Sequence, residues 1–358
     1  SRSTAKPEPS TQILSRQAHS PSSNNLSKML RLVRNIFRGR GILMFFVELI
    51  VRKSTKIWRN SREIRNLIQK IDSETAETTF VLQTQRASEF TEDPLIYVDI
   101  GARGGAQEVT KGFLKILYFV ICEADEDEAK NLESAFTAGR FSIIKNAISD
   151  SSTVRTLYLT KSRGCSSLLP PNGNFIGLFG GKDRDLDRFE VEKELEIKTL
   201  PLSLSMPQDI KTVDILKIDV QGLEFEILAG MGSFRPFVIC AECSAVEFYL
   251  GQKTFFSVGL LVEKLGYMPL QLMGITIVPK TIAKFQSCIQ VHGDVIFVPD
   301  NSKNGKAIIE RDTEKWFLAL CMHGYMDFAL WQLAELKIPK PMLVTQTEEL
   351  LKNICQKC

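Results

Sequence analysis

From Leu95 onward, short apolar runs alternate with stretches of helical period. Leu95–Ile100, Ile116–Cys122, Phe141–Lys145, Val213–Asp219 and Phe237–Ala241 are rich in Ile, Val, Leu and Phe and end in glycine or polar residues, the pattern of buried strands. Asp125–Ala138, Leu223–Ala229 and Thr254–Leu265 carry apolar residues at helical spacing between them. Such alternation predicts an α/β fold, a mostly parallel sheet with helices on both faces. Gly266–Met273 and Val291–Val298 would complete a seven-stranded sheet, and Trp316–Leu336 predicts one or two further helices. Arg163–Glu190 breaks the pattern with Gly164, Gly173, Gly177, Gly180, Gly181 and Pro170-Pro171, so it is expected to be a loop serving as a lid on the substrate side.

The N-terminal region has a different grammar. Residues 1–25 are rich in Ser, Pro, Thr and Asn and are expected to be disordered, because too little apolar surface is available to offset the entropy of ordering. Leu26, Met29, Leu30, Val33, Ile36 and Phe37 then share one helical face while Lys28, Arg31, Arg34 and Arg38 take the other. A second helical stretch, Ile42–Ile71, contains Trp58. The expected organisation is disorder over 1–25, a basic helical arm over 26–90, a sheet domain over 91–300 and a C-terminal helical extension over 301–358.

Charge sharpens this division. The net charge of the 358 residues is only +3, yet residues 1–70 hold fifteen Lys+Arg against three acids. That is +12 for the arm and −9 for the rest. A basic amphipathic arm suits peripheral contact with an anionic membrane surface through residues 26–70, or packing in a homo-oligomer with its basic face in solvent. The acidic remainder would repel nucleic acid. Gly41–Val51 is about half the roughly 20 residues needed to span a bilayer and contains Glu48. With 44% hydrophobic and 24% charged residues the composition is globular, which excludes a disordered chain or a small disulfide scaffold. Eight cysteines are scattered without a secretory pattern, so a cytoplasmic setting is expected. Cys240-Ala-Glu-Cys243 and Cys355-Gln-Lys-Cys358 have zinc-like spacing, but the first lies on a predicted strand whose alternate side chains point to opposite faces.

In an open parallel sheet, ligands bind beyond the carboxyl ends of the strands. Those ends carry Asp99 to Gly105, Glu123, Asn146, Asp219 and Glu242. Gly101, Gly104 and Gly105 allow a tight turn and a close approach of backbone to ligand, and Glu123 follows a second strand where an acid would bind ribose hydroxyls. This is a nucleoside-binding pattern. The order G-x-G-x-x-G required for a dinucleotide is missing, as is a Walker lysine.

Val98-Asp-Ile-Gly-Ala-Arg-Gly-Gly105, Glu123, Asn146-Ala-Ile-Ser-Asp150, Ser166-Ser-Leu168, Lys198-Thr-Leu200 and the run from Asp214 to Leu228 together resemble the FkbM family of S-adenosylmethionine-dependent methyltransferases. Leu265-Gly-Tyr267 and Gly293 to Val298 extend the likeness, which covers about Leu95 to Pro299. The resemblance implies a Rossmann-type fold and methylation of hydroxyl oxygens, often on sugars, glycolipids or related metabolites. It also implies that Asp99, Gly101, Arg103, Gly104 and Gly105 hold the methionine end of S-adenosyl-L-methionine, Glu123 the ribose, and Asn146 and Ala147 the adenine. Two positions depart from the family pattern: Gln221 and Pro201 stand where acids are usual. They favour a rival reading, a catalytically silent cofactor-binding interaction protein attached through its basic arm.

Methyl transfer to a hydroxyl needs a base for the departing proton. Asp219 at the end of the fourth strand is the first candidate, with Lys217 two residues away on the same face and expected to keep it ionised. Glu242 and His292 are the others. Asp219 and Glu242 also offer hard oxygen ligands that would suit Mg²⁺.

Overall fold

A computed structural model describes residues 92–103, 113–114, 116–135, 140–176, 186–277, 289–345 and 347–348. The chain divides into units 1–71 and 72–358, and every described residue belongs to the second. The predicted disorder over 1–25 and the basic arm over 26–90 lie outside the described residues.

Among the described residues, ten strands form two sheets. The strands are β1 (Leu95–Ile100), β2 (Leu117–Cys122), β3 (Arg140–Ile144), β4 (Ala147–Ser149), β5 (Thr153–Thr160), β6 (Val191–Pro201), β7 (Ile215–Ile218), β8 (Val238–Ser244), β9 (Tyr267–Ile277) and β10 (Ile289–Pro299). The larger sheet has seven strands in the order β3-β2-β1-β7-β8-β10-β9. Its pairings are parallel from β3 through β8, and β10 runs antiparallel to both β8 and β9. The fold is Rossmann-like, α/β, with a mostly parallel seven-stranded sheet, and these are the seven runs expected from the apolar pattern.

Burial explains why those runs were legible. Leu95, Val98, Leu117, Val120, Ile215, Leu216, Ile218, Val238 and Ile239 are essentially inaccessible, as expected of central strands covered on both faces. The chief helices are α1 (Glu126–Ala135), α2 (Gly173–Ile176), α3 (Leu202–Ser205), α4 (Glu224–Ala229), α5 (Phe255–Lys264), α6 (Lys303–Arg311), α7 (Thr313–Met322) and α8 (Met326–Glu335). Among the described residues no helix is long and apolar enough to cross a membrane.

The C-terminal helices share the sheet's core. Trp316 and Phe317 of α7 are fully buried in one cluster with Phe237, Phe297 and Tyr97. Polar contacts fasten these helices to the entry side of the central strands. Arg311 pairs with buried Asp214 at 3.0 Å and lies 4.1 Å over the Phe237 ring, and Asp214 accepts the backbone N–H of Ile96. Lys315 reaches Asp93 and the carbonyl of Pro94.

A second sheet, in the order β4-β6-β5, was not anticipated. Its strand β6 reads Val-Glu-Lys-Glu-Leu-Glu-Ile-Lys, apolar at Val191, Leu195 and Ile197 and charged at most positions between. That is the period-two signal of a strand with one wet face. The two-residue period is weaker in β5, where Leu157 and Leu159 alone are buried apolar residues.

The order β2-β1-β7 makes the chain reverse its direction of travel across the sheet between β1 and β7. The crevice between their carboxyl ends is where such folds place ligands.

Because Trp316 sits in the sheet's own core, Trp316→Ala is expected to destabilise the sheet domain by about 3–5 kcal/mol, the usual cost of truncating a buried aromatic residue. Denaturant unfolding should show a lower midpoint in one transition; a separate early transition would mean that the helices fold independently of the sheet.

Candidate active site

A cavity of about 270 Å³ opens at the reversal between β1 and β7. One wall is the strand-end turn at Gly101, with Glu123 and Asp125 after β2 and Asn146, Ala147 and Ile148 after β3. Ala147 and Ile148 belong to β4 of the second sheet, whose strand β5 and the segment that leaves it add Leu157, Leu159, Ser166 and Ser167 to the lining. Asp219, Gln221 and Glu242 close the end nearest β8.

Gly101 is the tightest point. Its φ is +81°, and a Cβ there would stand 2.0 Å from the carbonyl oxygen of Asp219, so no other residue fits. The backbone N–H of Gly101 donates to Cys122 and that of Asp219 to Ile100, which holds the ends of β1, β2 and β7 level.

Beneath this turn, Asp99 and Lys217 form a buried ion pair at 3.0 Å. The register aligns Asp99 with Lys217 across β1 and β7, so the ammonium is committed to Asp99 and stands 3.8 Å from Asp219. Burial opposes the charge on Lys217, but Asp99 and Asp219 outweigh it and hold the pKa above the ordinary lysine value. Lys217 favours the ionised form of Asp219 without being the largest influence on it. Burial dominates at Asp219, and with Glu242 repelling, its carboxyl is pushed up to about 6 despite Lys217 and a bond from Gln221. Neither Lys217 nor Asp99 lines the cavity; both support it from below.

Glu242 lies in the opposite environment. Burial works against its charge, but His292 Nδ1, 2.9 Å from Oε1, and the amide of Gln221 hold its pKa below the ordinary glutamate value. The side chains of Glu242, paired with Asp294, and of His292, paired with Ser244, share one face of the β8–β10 ladder. The Phe248 ring meets His292 edge-on at 5.6 Å, with Phe189 stacked behind it at 6.5 Å. His292 thus stands behind Glu242 and does not itself line the cavity.

Gln221 joins the two acids. Its Nε2 donates to Asp219 Oδ1 at 2.9 Å and to Glu242 Oε2, while Oε1 accepts from the hydroxyl of Tyr249 at 3.1 Å. This arrangement also bears on the expected Mg²⁺. The oxygens that would face a shared cation are bridged by an amide nitrogen, and among the described residues no cluster of three or more metal-ligating side chains occurs. The pair does not fit a bridging cation. Pro201, the other departure from the family pattern, ends β6 and precedes α3, away from the cavity lining. Cys240 lies 3.4 Å from His323 Nε2, while Cys355 and Cys358 are outside the described residues.

On the cofactor side the structure brings Gly101, Arg103, Glu123, Asn146 and Ala147 to the cavity. Gly104 and Gly105 lie outside the described residues. Glu123 is 7% exposed, and its Oε1 accepts the N–H of Asp125 at 2.9 Å. Arg103 is engaged with Asp125 at 2.8 Å and Glu128 at 3.5 Å, so it positions the acidic wall rather than offering an unpaired guanidinium.

Ser166, Ser167 and Tyr249 were missed as structural partners. Ser167 bonds the carbonyl of Gln221 at 2.7 Å, pairs with Tyr158 of β5 through the backbone, and so pins the expected lid's first part as a fixed wall. Tyr249 also reaches the carbonyl of Cys165 at 2.9 Å. The Ser166–Leu168 motif was visible in sequence; nothing local signalled Tyr249, whose role arises from a contact across 28 residues.

Residues 99–269 match the model of the methyltransferase FkbM domain. No curated protein matches the chain. Among solved structures it is similar to a precorrin-6y C5,15-methyltransferase from Geobacter metallireducens GS-15, at 11% identity and a TM-score of 0.29, over 67% of this chain and 90% of that one. That likeness is too loose to carry an argument.

Gly101→Ala should force apart the ends of β1 and β7, at a cost of about 1–3 kcal/mol for the strained backbone alone. Denaturant titration checks the loss; unchanged stability would mean that the turn relaxes freely.

Proposed function

We propose that this chain, a methyltransferase with its FkbM domain over residues 99–269, uses S-adenosylmethionine to methylate a hydroxyl oxygen of a sugar, glycolipid or related metabolite, with Asp219 as the base. The observation that carries the reading is a pair of cavity carboxylates whose surroundings drive their proton affinities apart, Asp219 upward and Glu242 downward. Environments that separate two acids in this way assign one to proton transfer and leave the other as a fixed charge.

The residues present fit the cofactor. Glu123 provides a buried carboxylate suited to vicinal ribose hydroxyls beside the Gly101 turn, and Asn146, Ala147 and Ile148 offer a polar edge and an apolar floor for a purine. When bound, S-adenosylmethionine supplies an electrophilic methyl group. Asp219, ionised at neutral pH, accepts the proton that the acceptor hydroxyl loses as its oxygen gains the methyl carbon. Glu242 stays charged through His292 and Gln221, so negative charge remains at this end of the cavity and favours a cationic donor.

The acceptor class rests on the chemistry of the base and on the family resemblance. Peripheral membrane contact through residues 26–70 remains part of the proposal, since a lipid-linked acceptor would sit at such a surface.

Asp219→Asn should lower turnover by about 10²–10⁴, the worth of a positioned base, while S-adenosylhomocysteine still binds. An active Asn variant would remove Asp219 from the chemistry. In the wild type, a base works only when deprotonated, so kcat/KM should rise with pH through about 6 and then level. A profile flat from pH 5 to 8 would exclude this group. Glu123→Ala should weaken S-adenosylhomocysteine binding about tenfold or more in calorimetric titration, the loss of a charge-assisted hydrogen bond. Wild-type protein that is folded and does not bind it would sink the cofactor assignment.

A further inference from the structure

Gln221 bonds to both cavity carboxylates and is held from three other directions. Its backbone is left-handed, with φ 59°, and its carbonyl accepts from Ser167 Oγ. The next residue, Gly222, donates its N–H to the buried carboxylate of Glu224 at 3.0 Å. Tyr249 then fixes the amide's orientation, because its hydroxyl reaches Oε1 while the two N–H bonds of Nε2 point at Asp219 and Glu242. Rotating the amide by half a turn would set its oxygen against two carboxylates and leave the tyrosine facing a donor.

We propose that Gln221 is the positioning residue of the base: its amide cross-links Asp219 and Glu242 and lets both stay ionised side by side without a cation. The catalytic meaning of this rests on the reaction proposed above; the cross-link itself does not.

The charges around the pair show why a neutral double donor is needed. Lys217 from β7 faces Asp219, but is shared with Asp99 of β1. From β8 comes Glu242; from β10 come His292, bonded to Glu242, and Asp294, paired with Glu242 across the ladder. From α4 comes Glu224, which burial pushes up to about 8, so that it adds no negative charge near pH 7. Asp219 and Glu242 also meet directly, a contact that raises the proton affinity of Asp219 and lowers that of Glu242, so the two tend toward a shared proton, and the amide donor of Gln221 opposes it on both. An acid in place of Gln221 would bring a third negative charge and no donor, so it too would have to bind a proton. An amide at this position is a functional substitution and not a lesion.

The test is titration of the side-chain carboxyl groups by NMR in full-length protein with ¹³C-labelled Asp and Glu, with Asp219→Asn used to assign the Asp219 signal. Gln221→Met keeps length and removes both donors. Gln221→Asn keeps an amide and tolerates the left-handed backbone, but is one methylene too short to span both acids. In the Met variant the proton affinity of Asp219 should rise about tenfold, the loss of one charge-assisted bond, with the Asn variant between. The acid limb of the methyl-transfer profile should move alkaline by the same factor. If the Met variant does not fold, the Asn variant decides. An Asp219 midpoint unchanged in a folded variant would overturn the proposal, whatever the activity. A shifted midpoint in a protein that transfers no methyl group would uphold the cross-link and overturn the reaction instead.

Discussion

The ion pair between Lys217 and Asp99 is the contact on which the site depends. It joins the two central strands at the point where the chain reverses its course across the sheet, its partners 3.0 Å apart and buried from water. Removing one partner of such a pair leaves a buried charge uncompensated, typically at a cost of about 3–5 kcal/mol. The pair also sets the electrostatics above it. Lys217, shared between Asp99 and Asp219, lowers the proton affinity of Asp219, but burial outweighs it and the carboxyl is pushed up to about 6.

Above that pair the site is built in two directions. Along β1 and β2, backbone turns and Glu123 form the wall that suits a nucleoside. Along β7, β8 and β10, Asp219, Gln221, Glu242 and His292 form one hydrogen-bonded row. The second sheet closes the cavity and reaches the row through Ser167 and, past Cys165, through Tyr249. The second-sheet wall is thus tied to the row of Asp219, Gln221 and Glu242, so a change in one will be felt in the other. The C-terminal helices act from the far side: Arg311 and Lys315 fix the start of β1 and β7, and with it the level at which the strands end.

Much of this could be read from residues alone, and for a definite reason. A strand buried on both faces must be apolar nearly throughout, so β1, β2, β7 and β8 stood out as short apolar runs, and their ends carried the glycine turn, Glu123, Asp219 and Glu242. Spacing to the end of a strand is a local property, and local properties survive in sequence. The half-exposed strands β5 and β6 carry a diluted signal, because one face of each is polar, and the smaller sheet went unseen until the chain was folded.

What only the tertiary structure decided are the partnerships. Sequence placed Lys217 beside Asp219 by its spacing of two, but register across β1 and β7 gave the ammonium to Asp99. Sequence marked Gln221 as a departure from the family pattern, while folding brought Tyr249, Glu242 and Ser167 around it and made it the bridge of the row. His292 and Glu242 were separate candidates until the antiparallel pairing of β8 with β10 set them 2.9 Å apart. The types and positions of the titratable groups at the cavity are written along the chain because each belongs to one strand end. Their proton affinities are not, because these depend on burial and on charges contributed by strands distant in sequence.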